Sequence, residues 1–153
     1  MHVRIARDEA QLLIDALSRA GSREIGGQLF GEQLEPSRFR VTELTIQRRG
    51  GGFARFVVDV VQAARDAVRF FQRTKQEYRR FNYVGEWHSH PSFEVRPSST
   101  DAETMRGLVR DPSFKGTFAV LMIVRWDTGT LRSGAWLFDP QGHEAEIPLE
   151  IET

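Results

Sequence analysis

The chain reads as a mixed α/β or α+β domain in which a central β-sheet is covered by helices. Two patterns alternate along it: short stretches rich in aromatic and β-branched residues, and two or three segments with apolar residues at helical spacing. A third observation is the punctuation by Gly, Pro, Asn or Asp every ten to twenty residues, which keeps each element short. At 153 residues, with 40% hydrophobic and 27% charged side chains, one domain with its own core is expected.

The elements follow in order. His2–Ala6 reads as a first strand, and Asp8 as the N-cap of a helix carrying Leu12, Leu13, Ala16 and Leu17 on one face and ending at Gly21. Ile25–Phe30 and Phe39–Gln47 read as strands joined by a turn near Pro36, with Phe39 and Val41 inward and Leu44 and Ile46 inward after a shift in register. The RRGGG run at Arg48–Gly52 reads as a mobile loop. Asp59 then caps a helix to about Arg80, with Val60, Ala64, Ala67, Val68, Phe71 and Tyr78 as its apolar stripe. Phe81–His88 is a strand, Pro91–Pro97 a loop and Thr100–Val109 a short helix. Thr117–Trp126, Thr130–Asp139 and Glu144–Ile151 complete the sheet, paired as hairpins that turn at Asp127-Thr128-Gly129 and Pro140-Gln141-Gly142.

Composition excludes several classes. Lys plus Arg and Asp plus Glu both number 21, so no overall field draws the protein to nucleic acid or an anionic membrane. No apolar run reaches the ~20 residues that cross a bilayer, and Met1–Ala10 lacks the features of a secretory signal, which leads to the expectation of a soluble cytoplasmic protein. The absence of cysteine removes disulfides, a thiol nucleophile and thiolate metal sites, leaving His and carboxylates as the available ligands.

The informative stretch is Glu86–Asp101, EWHSHPSFEVRPSSTD. His88 and His90 stand at i and i+2 of a strand end, so their rings leave the same face and can converge on one ion. Asp101, eleven residues on, is the natural third ligand, and three protein ligands leave a position open for water, as in catalytic zinc sites. Paired histidines on a strand are also common as packing residues. Ser98-x-x-Asp101 equally fits a helix capping box, and the two readings are compatible because an acid in a first helical turn is both favoured and rigid.

His88, Ser89, His90 and Pro91, then Ser98 and Asp101, with the same seven residues between His90 and Ser98, resemble the JAMM signature of the JAB/MPN metalloproteases. Glu24-Ile-Gly-Gly-Gln-Leu-Phe-Gly31, sixty-four residues before His88, resembles the family's upstream glutamate strand. The resemblance spans nearly the whole chain. It implies a cytidine-deaminase-like mixed sheet flanked by helices and one Zn2+ held by His88, His90 and Asp101. It also implies Glu24 as general base and Ser98 as hydrogen-bond donor to the oxyanion. Glu86, on the same strand face as the two histidines, reads as a partner to a ligand histidine or a surface residue, Ser89 as a structural hydrogen-bonding residue, and Trp87 and Phe93 as flanking residues that could shape a substrate groove, although an aromatic in such a place is more often core.

The resemblance further implies cleavage of isopeptide or peptide bonds after the C-terminal glycine of a ubiquitin-like protein, with Arg48–Phe53 and Ser92–Arg96 as candidate groove walls. The GEWHSHP wording looks most like stand-alone bacterial peptidases of antiphage operons, type II CBASS and Bil, whose partners are E1-like and E2-like proteins. A sulfur-carrier-processing protease is the alternative within the fold. A non-catalytic MPN scaffold is a second class, disfavoured by the complete ligand set. A Ser/His/Asp hydrolase built on Ser98 leaves one histidine and Glu24 without roles.

Overall fold

Alternation and periodicity become a single mixed sheet with helices on both faces in the computed structural model, which describes residues 1–47 and 60–153. Among the described residues eight strands run in the order β7-β6-β5-β4-β2-β3-β1-β8. They are β1 (His2–Ile5), β2 (Gly26–Glu35), β3 (Arg38–Leu44), β4 (Phe81–Ser89), β5 (Ala119–Asp127), β6 (Thr130–Phe138), β7 (Glu144–Ile147) and β8 (Leu149–Ile151). The helices are α1 (Arg7–Ala20), α2 (Val60–Arg73) and α3 (Ser99–Arg110). Most neighbours are antiparallel, but β4 and β5 run parallel, as do β1 with β3 and with β8.

The centre of the sheet is buried on both sides. Along β5, Val120, Met122 and Val124 pack in the core that holds Leu13 and Leu17 of α1, while Ala119, Leu121 and Ile123 pack with Met105 and Val109 of α3. A continuous apolar run is what a central strand covered on both faces requires. Helix α2 joins α3 on that second face, where Phe70 stacks on Phe30 of β2 with ring centroids 4.8 Å apart.

Several expectations shift. Helix α1 begins two residues early, at Arg7, with Ala6 in place of Asp8 as N-cap and no side-chain cap. Asp8 therefore lies in the first turn beside Glu9, where its charge meets the helix dipole instead of capping. Leu12, expected inward, is 39% exposed, and Ala10 takes the buried position. Helix α2 stops at Arg73, because Lys75 and Gln76 adopt left-handed backbone at φ 53° and 58°, so Tyr78 lies beyond it. Its buried side is led by Phe70, whereas Val68 is 55% exposed, a rotation of the expected stripe by about one residue. The expected Asp59 cap and the Arg48–Gly52 loop lie outside the described residues.

Strand β2 continues past Phe30 to Glu35, and β3 stops at Leu44. The expected register shift occurs, with Phe30 opposite Glu43 and Gly31 opposite Val41, leaving Thr42 as the extra residue; Val41 and Leu44 are both buried. The last expected strand, Glu144–Ile151, divides at Pro148: β7 pairs with β6 and β8 with β1, so the opposite edges of the sheet come within one residue of each other. A proline cannot donate to a continuing ladder, and the chain changes edge there.

Candidate metal centre

The site grows from the end of β4. Pairing of β4 with β2 sets Gly26 opposite His88, and Ser89 extends the pairing by donating its N–H to Ile25 O (2.8 Å) while its hydroxyl accepts from Ile25 N (3.0 Å). On the other side His90 N donates to Val124 O at 2.9 Å, prolonging the contact with β5. Both histidines are thereby fixed at their backbones, and period-two alternation sends their rings to the α2/α3 face. Both are buried.

Asp101 comes from the first turn of α3. Ser98 caps that helix by accepting from Asp101 N (3.1 Å), and Asp101 Oδ2 accepts from Ser98 N (2.7 Å), a complete capping box. The structural and ligating readings of these residues coexist in one carboxylate. His88 Nε2 lies 3.2 Å from Asp101 Oδ1, His90 Nε2 3.4 Å from Asp101 Oδ2, and the two Nε2 atoms 3.1 Å apart.

These three residues can hold a metal ion. Donors about 2.0–2.1 Å from a tetrahedral zinc stand roughly 3.3–3.4 Å from one another, close to the separation of the two Nε2 atoms and to that of each from its own, different, Asp101 oxygen. His90 Nδ1 lies 2.8 Å from Glu94 O, a contact in which the ring donates its Nδ1 proton and keeps the Nε2 lone pair for a ligand. Electrostatics agree with a cation-seeking cluster. Burial works against the Asp101 carboxylate, yet the His88 and His90 rings beside it, donating from Nε2 when they carry a proton there and no ion is bound, hold it well below the usual carboxylate range. Burial likewise disfavours the His90 cation, but Asp101, the Glu94 carbonyl and the charge of Glu24 together raise its pKa.

Around the three donors lies a cleft of about 730 Å³. Glu24 lines it, buried in the segment just before β2, and Ser98 lines it from the helix cap. Ser98 uses its oxygen as the cap acceptor and keeps its own proton for another partner. Phe93, 48% exposed, stands edge-on to the His90 ring at 6.0 Å between centroids and lines the cleft together with Glu94, Arg96 and Pro97 of the same loop. Arg48–Phe53, the other expected wall, lies outside the described residues.

Trp87 is not a groove residue. It is fully buried on the opposite face of the sheet in the α1 core, donating Nε1–H to Thr45 O at 2.8 Å. Standing between Glu86 and His88 in a strand, it has to face away from them.

A family model described as prokaryotic homologs of the JAB domain matches residues 7–137. The chain belongs to the JAB/MPN family. Among solved structures, this JAB/MPN chain is similar to protein DSY2949 from Desulfitobacterium hafniense, at TM-score 0.69 and 17% identity over 98% of this chain and 92% of that one. It is also similar to AF2198, a JAB1/MPN domain protein from Archaeoglobus fulgidus, at TM-score 0.49 and 19% identity over 97% of both chains. No curated protein matches it.

The sequence reading left Glu86 between two minor roles and did not foresee its surroundings. It lies on the same face as the ligands, lines the metal cleft and accepts a hydrogen bond from Tyr83 Oη at 2.7 Å. Burial pushes its carboxyl up to about 7, against hydrogen bonds from Tyr83 and the Gln28 side chain. The i−2 spacing from His88 was the available signal. Its neighbours Leu121 and Met105 come from distant segments and left none.

Proposed function

We propose that this JAB/MPN chain is a zinc metallopeptidase that cleaves the peptide or isopeptide bond after the C-terminal glycine of a ubiquitin-like protein. It thereby processes that protein or releases it from targets, in the cytoplasm and within a bacterial antiphage conjugation system with E1-like and E2-like partners. One observation carries the reading: two imidazole nitrogens and a carboxylate, close enough together to hold one ion, share a cleft with a buried carboxylate and a hydroxyl outside that group of three.

His88, His90 and Asp101 would hold the zinc ion, which when bound would supply Lewis acidity to a carbonyl and to a water near neutral pH. Glu24 accepts the proton of the attacking water and returns it to the departing amine, a double task suited to a carboxylate in an enclosed site. Ser98 donates its hydroxyl proton to the oxygen that gains negative charge. The capping box keeps Asp101 and Ser98 rigid while this happens, and Phe93 and its loop shield one side of the cleft from water.

The test is cleavage of a ubiquitin-like fusion by purified protein, with zinc measured in the same sample. The reading expects about one zinc per chain, loss of cleavage on chelation and recovery on adding zinc back. Zinc-replete protein with no cleavage of any ubiquitin-like fusion or isopeptide, including those made from products of neighbouring genes, would overturn it.

A further inference from the structure

The metal cleft is acidic: Glu24, Glu86, Glu94 and Asp101 line it against one arginine, Arg96, which pairs with Glu94. A second cleft, of about 790 Å³, has the opposite character and shares no lining residue with the first. Arg79, Arg80 and Lys115 line it, and among the described residues no aspartate or glutamate does. Arg80 is already engaged, paired with Glu32 and set over the Phe81 ring at 4.9 Å from its centroid. Among the described residues Arg79 and Lys115 have no acidic partner, and Lys115 Nζ donates only to Pro112 O at 3.0 Å. In a chain without net charge, a cleft whose charged groups are all cations is a local field that favours an anion.

The sheet itself opens this cavity. Strand β4 pairs with β2 from Phe81 but carries an extra residue, Val84, between Tyr83 opposite Phe30 and Gly85 opposite Leu29. A bulge bends its strand, and β5 joins β4 only beyond it, at Gly85. The start of β4 is left without a neighbour on that side, and residues 113–118, which lead into β5, wall the opening instead. Two aromatic pairs line it: Phe39 with Phe118, ring centroids 5.0 Å apart, and Phe71 with Tyr78 at 5.1 Å. None of the four is fully buried, and Tyr78, at 54% exposed, has ring surface to give to a ligand.

A cavity of this size holds one medium-sized molecule, and a gap between central strands suits a compact ligand over an extended chain. Exposed aromatic surface receives a planar ring. Two unpaired cations from separate segments, one of them a guanidinium, suit the multiple charge of a phosphate. We propose that this cleft binds a nucleoside phosphate, with the ring against Tyr78 and the phosphates held by Arg79 and Lys115. The site lies apart from the metal centre and is independent of the peptidase reading.

The experiment is calorimetric titration of the purified chain with ATP, adenosine and inorganic tripolyphosphate, with and without chelator. ATP should bind about tenfold more tightly than either fragment, and chelation should leave its affinity unchanged. Arg79→Ala/Lys115→Ala should weaken ATP and tripolyphosphate about tenfold, whereas Tyr78→Ala should weaken ATP and adenosine by a similar factor and leave tripolyphosphate as it was. All three side chains are exposed, so zinc content and Tm should stay near wild type. Absence of ATP binding at millimolar concentration, equal binding of ATP and tripolyphosphate, or ATP binding that survives Arg79→Ala/Lys115→Ala overturns the site. Surviving binding that vanishes on chelation would put the phosphates at the metal centre. Binding of the peptide acetyl-Asp-Tyr-Asp-amide without binding of ATP overturns the ligand class and makes the cleft an acidic-peptide site.

Discussion

Glu24 lies beside the three donors without being one of them, so replacing it separates chemistry from metal retention. Glu24→Gln should abolish cleavage while zinc stays near one per chain, whereas His90→Ala should lose both; elemental analysis beside a peptidase assay reads the difference. Retained cleavage in Glu24→Gln would place the base elsewhere, with Glu86 first to examine. Ser98 has two jobs, so Ser98→Ala should lower kcat on the order of 10²–10³-fold through the lost oxyanion donor. It should also cost about 1 kcal/mol of stability through the lost cap, visible as a lower Tm. The metal-ligand candidates were legible in the sequence because His88, His90 and Asp101 fall within fourteen residues, at one strand end and one helix start, whereas Glu24 and the role of Ser98 were reached only through the family resemblance. Of the two readings of Trp87 the core one holds and the groove one fails, since alternation between Glu86 and His88 turns it to the opposite face. The Glu94 carbonyl that orients His90 could not be read, since any residue provides a carbonyl.

The elements place these groups, and β4 is the one on which the site depends most. It contributes both histidines and meets β5 at Gly85, where an added Cβ would lie 1.8 Å from Val120 O. Gly85→Ala therefore has to separate the two parallel strands three residues before His88. It should lower both Tm and zinc affinity, and unchanged zinc affinity would show that β4–β5 pairing does not set ligand geometry. On the same face Phe70→Ala should cost about 3–5 kcal/mol in chemical unfolding, since Phe70 is buried against Phe30. Strand existence and the bulge in β3 were readable from alternation. The end of α2 was not, because Tyr78 continues the helical period while the backbone at Lys75 and Gln76 leaves it. The burial of Phe70 over Val68 depends on Phe30, a partner forty residues away that no local period reports.

At the scale of the whole molecule, mixed architecture was legible but closure of the sheet was not, because Pro148 marks a break without saying to which edge the chain goes next. The C-terminal strand reaches β1, and beyond it Glu152 forms a two-pronged ion pair with Arg40, both bonds at 2.8 Å. The Arg40 guanidinium holds the Glu152 carboxyl down, from its usual 4.5 to about 2. A carboxylate depressed on folding adds stability that is present above its unfolded pKa and lost as pH falls through the folded one. Wild type should therefore lose this contribution between about pH 4.5 and 2, and Glu152→Gln should flatten that part of the stability profile in acid titrations followed by circular dichroism. The pair is partly solvated, so the effect is modest in size though fixed in sign.

Crystals grown with zinc and measured at the zinc absorption edge test the central claim most directly. The account predicts one strong anomalous peak about 2.0–2.2 Å from His88 Nε2, His90 Nε2 and one Asp101 carboxylate oxygen, facing the cleft that Glu24 lines. An occupied zinc site elsewhere, with these three side chains unliganded at saturating metal, would contradict it.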